Sequence, residues 1–201
     1  MIPREEAKLN AAKAERDERA AEVLGLSLGK ISKQAEDLAA MLKKHQRNSY
    51  KIVLTGGAGS GKTTLANELS KKLEIPIYDL DNYIRGGWTP DREEYEQRLF
   101  HAIYDLWTDL PAGDYGWIVE HVEACSPTIT KFLRPNFAVL LDPGEEALMA
   151  AARARNSVGS HDERREDRAV SSSKLAKEQF NAMNARSGER LGNIHIKVLE
   201  G

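Results

Sequence analysis

The chain holds a single cysteine, Cys125, in 201 residues, so no internal disulfide can form. No stretch approaches the roughly 18 consecutive apolar residues that a membrane-spanning helix needs. Arg4, Glu5, Glu6 and Lys8 stand where a signal peptide would carry an apolar run, and the acids among them argue against an organellar transit peptide. The expectation is a soluble, cytoplasmic protein with no membrane partner. Charge excess is lacking as well: 29 Lys and Arg stand against 31 Asp and Glu, for a net charge of −2. That excludes a globally basic protein that binds polyanions through bulk charge, although a local basic cleft stays allowed. What is present is 201 residues, 41% of them hydrophobic, which allows one good core and leaves little room for two independent domains.

The near-zero total hides segregation. Residues 1–48 carry ten basic and eight acidic side chains, residues 49–78 four and two, residues 79–123 three and eleven, and residues 124–201 twelve and ten. The block from Asp79 to Glu123 is therefore at −8 between two mildly positive stretches.

From Met1 to about Gly25 the sequence is rich in Ala, Glu, Arg and Lys, which reads as a solvated helix or a partly ordered extension. Ile31, Ala35, Leu38 and Leu42 then recur at helical spacing, with Lys33, Glu36, Asp37 and Lys43 off the stripe. This helix should dock on the domain or on a partner. A homo-oligomer through the N-terminal helices, or a nucleic-acid contact through Lys43, Lys44, His45 and Arg47, are the readings beside plain packing. Residues 1–48 are accordingly an N-terminal helical extension and residues 49–201 the main domain.

From Tyr50 short apolar runs alternate with helical patterns, the signature of a parallel sheet wrapped by helices. Strands are expected at Tyr50–Thr55, Ile75–Tyr78, Trp117–Val122, Phe137–Leu141 and Ile194–Leu199. Between them the helical faces are Thr63–Leu73, a helix capped by Thr89 and Pro90 with Tyr95, Leu99, Ile103 and Leu106 buried, a short helix opened by Ser126-Pro127, Glu145 to about Arg155, and Val170–Asn184. Residues 156–168 have almost no large apolar side chain and alternate acids with Arg164, Arg165 and Arg168, as expected of a mobile, solvated excursion.

Gly56-Gly57-Ala58-Gly59-Ser60-Gly61-Lys62-Thr63 fits the phosphate-binding pattern G-x-x-x-x-G-K-[ST], and it lies between a strand and a helix as that motif requires. Glycines let consecutive N–H groups curl around phosphate oxygens. The following helix, starting near Thr63 and Thr64, directs its positive end at the same anion. Lys62 adds a charge toward the β- and γ-phosphates of a nucleotide, and the Thr63 hydroxyl is suited to ligate Mg²⁺. After the second strand, Asp79-Leu-Asp81 falls at the carboxyl edge of a doubly wound sheet, where a carboxylate can accept the proton of an attacking hydroxyl or hold the metal; two turn caps are the structural alternative. On the third strand Glu120 is placed as a second acid associated with the metal, or as a salt-bridged structural residue.

These residues resemble the P-loop small-molecule and nucleotide kinases, the group that includes uridine, shikimate, gluconate and adenylate kinases. The resemblance runs from about Tyr50 to Gly201. Asp79-x-Asp81 is similar to the Asp-x-Asp of shikimate kinase, where the first acid is associated with the metal and the second with the acceptor hydroxyl. Glu120 resembles the acid of the Val-Glu-Gly motif of uridine-kinase-like enzymes, with His121 in place of the glycine. Val139-Leu-Leu-Asp142-Pro143 and the helix ending in Arg153-Ala-Arg155 are similar to the fourth strand and lid entry. What the resemblance implies is an α/β fold: a P-loop NTPase three-layer sandwich with a five-stranded parallel sheet in the order 2-3-1-4-5 and a lid.

Residues 156–168 fit that lid, with Arg155, Arg164 and Arg168 as the cations that would stabilise the moving phosphoryl group after closure; local pairing with Asp162, Glu163, Glu166 and Asp167 is the competing account. On the acceptor side stand Asp81, Tyr83, Arg85, Trp88, Arg98 and His121, with Arg92 and Glu123 nearby; Trp88 could stack on a planar ring or pack under its loop.

Three functions remain open. The first is an ATP- and Mg²⁺-dependent kinase for a nucleoside-like or sugar-like acceptor, with Asp81 as the proton acceptor and Lys62 and the lid arginines stabilising charge. The second is a nucleic-acid kinase acting on a terminal hydroxyl or a hydroxymethylated base, similar to phage base-hypermodification kinases, with DNA as acceptor. The third is a non-catalytic NTP-dependent regulatory module. The acidic block favours the first, because it repels a polyphosphate chain.

Overall fold

The structure, a computed structural model, describes residues 28–44, 49–112, 115–156, 165–187 and 195–200. Five strands, β1 (Lys51–Gly56), β2 (Ile77–Asp79), β3 (Trp117–Glu120), β4 (Phe137–Asp142) and β5 (His195–Glu200), form one sheet in the order β2-β3-β1-β4-β5. Every neighbouring pair is parallel. This is the expected strand order.

Period-2 alternation sorts the strand residues onto two faces. Ile52, Leu54, Ile118, Phe137, Val139 and Leu141 pack in one apolar cluster with α1 (Leu28–Lys44) and α2 (Lys62–Leu73). Val53, Trp117, Val119, Ala138 and Leu140 pack in the other with α3 (Arg92–Asp109), α4 (Pro127–Leu133) and α6 (Arg165–Ser187). A small third cluster, Leu148, Ala152 and Ala169, ties α5 (Glu145–Asn156) to α6. Strands buried on both faces are what continuous apolar runs of the kind Ile52-Val-Leu54 encode.

The stripe Ile31, Ala35, Leu38 and Leu42 of α1 is buried with Leu65 and Leu69 of α2. Burial of each leucine is worth roughly 1.5–3 kcal/mol, so this helix is part of the sandwich and its apolar face is used within the chain. The oligomer reading for α1 loses its apolar stripe; residues 1–27, together with His45 and Arg47 of the nucleic-acid reading, lie outside the described residues. Lys43 and Lys44 are exposed in its last turn.

Local differences from the sequence expectations have identifiable causes. The cap of α3 is Asp91, whose carboxylate accepts the N–H groups of Glu93 and Glu94, while Thr89 Oγ1 accepts the Asp91 N–H at 3.3 Å. A carboxylate that reaches two first-turn donors is the better partner for a helix N-terminus than the Thr-Pro pair. Ser126 caps α4 as expected. β3 ends at Glu120 because the chain turns there, with Ala124 N–H on the His121 carbonyl and Ser126 N–H on the Glu123 carbonyl. The expected excursion ends earlier than Arg168, since α6 is already helical from Arg165; residues 157–164 lie outside the described residues. Among the described residues no helix is long and apolar enough to cross a membrane.

Candidate active site

Parallel strands end on one edge, and register decides what meets there. Asp79 of β2 and Leu54 of β1 both align with Glu120 of β3, so the loop after β1, the acids after β2 and the end of β3 share that edge. The phosphate loop follows β1 directly. Gly59 and Gly61 sit at φ 88° and 91°, the left-handed region that turns the loop back on itself. Helix α2 then starts with no side-chain cap and no acid in its first turn. Its first N–H groups and its positive end therefore suit an anion. Lys62 Nζ lies over the loop, donating to the carbonyls of Gly56 at 3.1 Å and Gly57 at 3.0 Å. Ser60 is 1% exposed, and its hydroxyl has no hydrogen-bond partner among the described residues. Thr64 follows Thr63 in the first turn of α2.

The residues read as metal-associated come together in part. Thr63 Oγ1 donates to Glu120 Oε2 at 3.0 Å, joining the helix start to the end of β3. Asp79 Oδ1 accepts the Asp81 N–H at 3.1 Å and so caps the short 3-10 turn Leu80–Asn82. The cap alternative is thus realised for Asp79, whose place on the edge beside Glu120 is kept. A hydroxyl and a carboxylate in contact are hard oxygen donors of the kind Mg²⁺ takes alongside phosphate oxygens and water.

Asp81 stands next, with Oδ1 3.3 Å from Nε2 of His121. His121, read as an acceptor-binding residue, is 3% exposed and serves Asp81 and Tyr95 instead. Its Nδ1 accepts the Glu123 N–H at 3.1 Å, and Tyr95 Oη lies 3.4 Å from Nε2. Burial, and then the charges of Glu123 and Asp81, keep the Tyr95 hydroxyl protonated far above its ordinary range.

The other acceptor-side residues face α3. Tyr83 donates to Asp109 Oδ2 at 2.9 Å, Arg85 to Asp105 Oδ2 at 2.8 Å, and Arg98 to the carbonyls of Gly86 and Gly87 at 2.9 and 3.1 Å. Burial, reinforced by the hydrogen bond and charge of Asp109, pushes the Tyr83 hydroxyl up to about 12. With His101 and Asp105 these three side chains line a depression of about 320 Å³. Arg98 braces the Gly-Gly loop, and Trp88, 64% exposed, lies under the Arg168 guanidinium with 5.5 Å between Cζ and the ring centre. Arg168 thereby joins the loop after β2 to the start of α6. Arg164 and the side chain of Arg155 lie outside what the structure describes. Local pairing does occur between α5 and the start of α6, where Glu166 takes Arg153 at 2.8 Å.

Arg92 and Glu123 form a clamp. Arg92 grips both carboxylate oxygens at 3.1 and 3.2 Å, and Gln179 of α6 donates to Oε2 at 3.0 Å. Glu123 is thus a structural anchor behind the site, and its hydrogen bonds hold the Arg92 guanidinium even further above its ordinary range. The Arg92 side chain is 57% exposed and that of Glu123 5%. Arg92→Met, which leaves a buried carboxylate short of its cation, should lower stability by roughly 3 kcal/mol. Glu123→Gln, which leaves the cation in water, should cost about 1 kcal/mol. Urea midpoints check the asymmetry, and equal losses would contradict it.

Sequence reasoning missed the residues of α6 that lie on the phosphate loop. Ala58 N–H donates to Ser172 Oγ at 2.9 Å. A methyl group on Gly57 would come 2.9 Å from Ser173 Cβ and 3.0 Å from the Ala169 carbonyl oxygen, so α6 packs against the loop backbone. The small residues Ala169 and Ser171-Ser-Ser173 in a helix that follows an arginine-rich stretch were the available signal.

The shikimate kinase family model matches residues 58–95, which run from Ala58 of the phosphate loop through α2 and β2 to the start of α3. A dephospho-CoA kinase of Prochlorococcus marinus is 41% identical over 59 residues, 29% of each chain. A shikimate kinase of Bacteroides thetaiotaomicron is 37% identical over 59 residues, 29% of this chain and 27% of the relative. The match thus spans less than a third of either relative. The structure of the shikimate kinase of Acinetobacter baumannii in complex with shikimate superimposes with a TM-score of 0.53 at 18% identity, over 79% of this chain and 87% of that one. Strand order, phosphate loop and these likenesses together give the chain a fold similar to that of the shikimate kinase, with sequence similarity to the shikimate kinase family over residues 58–95.

Proposed function

We propose that the chain transfers the γ-phosphoryl group of Mg·ATP to the hydroxyl of a small acceptor of nucleoside-like or sugar-like type. The observation that carries this reading is the edge itself: a phosphate loop, a Thr63–Glu120 oxygen pair at 3.0 Å and the Asp81 carboxylate on one side of one sheet. Lys62 and the loop N–H groups would hold the phosphates, and Thr63 and Glu120, with Asp79 alongside, would hold Mg²⁺. Bound there, the ion would neutralise charge developing on the phosphoryl oxygens. Asp81 takes the proton of the acceptor hydroxyl as the oxygen attacks phosphorus in line. Arg168, and Arg155 and Arg164 as lid arginines, would supply further positive charge on closure.

The relatives support a small acceptor, being named for dephospho-CoA and shikimate. So does the acidic block. Arg85, Arg92 and Arg98, its three cations, all pair with acids of the same block, Asp105, Glu123, Glu96 and Glu94. Their charge is therefore committed locally and the surface left to an incoming polyanion is negative.

The test is radiolabelled γ-phosphate transfer to nucleosides, shikimate, gluconate and other polyols, and DNA with ordinary or hydroxymethylated bases, in parallel. Label should appear on a small hydroxylated compound. Transfer to DNA with affinity falling steeply in salt would instead establish the nucleic-acid reading. Slow hydrolysis with no labelled acceptor would support the regulatory module.

A further inference from the structure

We infer that His121 is a positioning residue that holds the Asp81 carboxylate in the attitude needed to receive a proton, an inference that rests on the kinase reading above. The two side chains differ sharply in exposure. Asp81 sits on a 3-10 turn with its side chain 71% exposed, whereas the imidazole of His121 is 2% exposed. An exposed carboxylate samples several rotamers, and each excursion takes it away from the reacting hydroxyl. His121 is fixed at both ends. Its backbone N–H donates to the Leu54 carbonyl at 3.1 Å, tying it to β1 just before the phosphate loop. Its Nδ1 accepts the Glu123 N–H at 3.1 Å, and Glu123 is itself clamped by Arg92 and Gln179.

That backbone donor also sets the tautomer. With the Nδ1 lone pair engaged, the proton of the neutral ring belongs on Nε2, the atom 3.3 Å from Asp81 Oδ1 and 3.4 Å from Tyr95 Oη. The ring thus offers Asp81 a donor whose position is set by the same strand that leads into the phosphate loop. Base and phosphate cradle are registered to each other through β1. A glycine at position 121 could offer no such donor, so this chain orients its base through the first side chain after β3.

The experiment uses the full chain and water as the phosphoryl acceptor, so it does not wait for the natural substrate. Mg·ATP hydrolysis is measured for the wild type, Asp81→Asn, His121→Phe, His121→Gln and the double variant Asp81→Asn/His121→Phe, with ¹⁵N–¹H correlation of the His121 ring in the wild type. His121→Phe should lower kcat by about 10–100-fold with the KM for ATP unchanged. His121→Gln, whose amide can place an N–H near the Nε2 position, should recover part of that loss. In the Asp81→Asn background His121→Phe should have no further effect. The ring should carry its proton on Nε2. An equal loss from His121→Phe with and without Asp81, no loss from His121→Phe while Asp81→Asn is impaired, or a ring protonated on Nδ1 would each overturn the proposal. Full activity of Asp81→Asn would remove the base reading itself, a different failure. Should His121→Phe not fold, the glutamine variant and the ring tautomer decide.

Discussion

Asp81→Asn is expected to reduce phosphoryl transfer by about 10²–10⁴-fold, the range that a positioned general base contributes, while ATP binding stays unchanged. The separation follows from where Asp81 lies. It is on the turn after β2, with its backbone N–H on Asp79 and its carboxylate 3.3 Å from His121, while Lys62 holds the phosphate loop through the Gly56 and Gly57 carbonyls. The amide keeps the shape of the carboxylate but cannot take up a proton. A kcat defect with normal ATP affinity, read by transfer kinetics and by nucleotide titration calorimetry, is the expected pattern. Preserved turnover would remove Asp81 from the base role, and lost ATP binding would mean that it shapes the nucleotide site.

Lys62→Ala should fail in a different way. On the proposed reading the ammonium is the point charge that meets the β- and γ-phosphates, and it ties the carbonyls of Gly56 and Gly57 together at 3.1 and 3.0 Å. Its loss removes a charge that is most needed in the transition state and loosens the cradle that binds the ground state. Transfer should fall on the order of 10²–10³-fold, the scale of a lost preorganised donor. ATP affinity should fall as well, by about tenfold or more, equivalent to about 1.4 kcal/mol. Lys62→Arg should not restore activity, because a planar fork cannot take the place of a compact ammonium inside a loop this tight. A Lys62→Ala protein with wild-type transfer would sink the kinase reading for every acceptor, whereas normal nucleotide affinity with lost transfer would confine Lys62 to the chemical step.

The architecture was legible because it rests on short-range patterns. Ile52-Val-Leu54 and Val139-Leu-Leu141 announce strands buried on both faces, the spacing of Leu65, Leu69 and Leu73 announces the helix after the loop, and Gly56–Thr63 carries its chemistry in consecutive residues. Pairing across the sheet is another matter. Thr63 and Glu120 are 57 residues apart and met only once β1 and β3 were aligned. The residues expected on the acceptor side find their partners across the fold, Tyr83, Arg85 and Arg98 around one depression and His121 in the interior. Tyr83, Arg85 and Arg98 turned to Asp109, Asp105 and Gly86 and Gly87, because acids and open carbonyls along α3 and its loop lie within reach. His121 turned inward, because the chain bends immediately after β3 and buries the first side chain of the bend.

The sequence by itself determined that this is a parallel α/β sandwich with a phosphate loop, since periodicity and a run of glycines ending in Lys-Thr are local properties that any fold must respect. The tertiary structure alone decided which charges are spent and which are offered. Arg92 and Glu123 are consumed in a clamp, Trp88 lies beneath Arg168, and Ser172 reaches the Ala58 N–H from a helix more than a hundred residues downstream. Composition counts such groups without saying whom they meet. Ion pairs and hydrogen bonds act over a few ångströms, and distances of that size between remote residues are set by sheet register and helix packing.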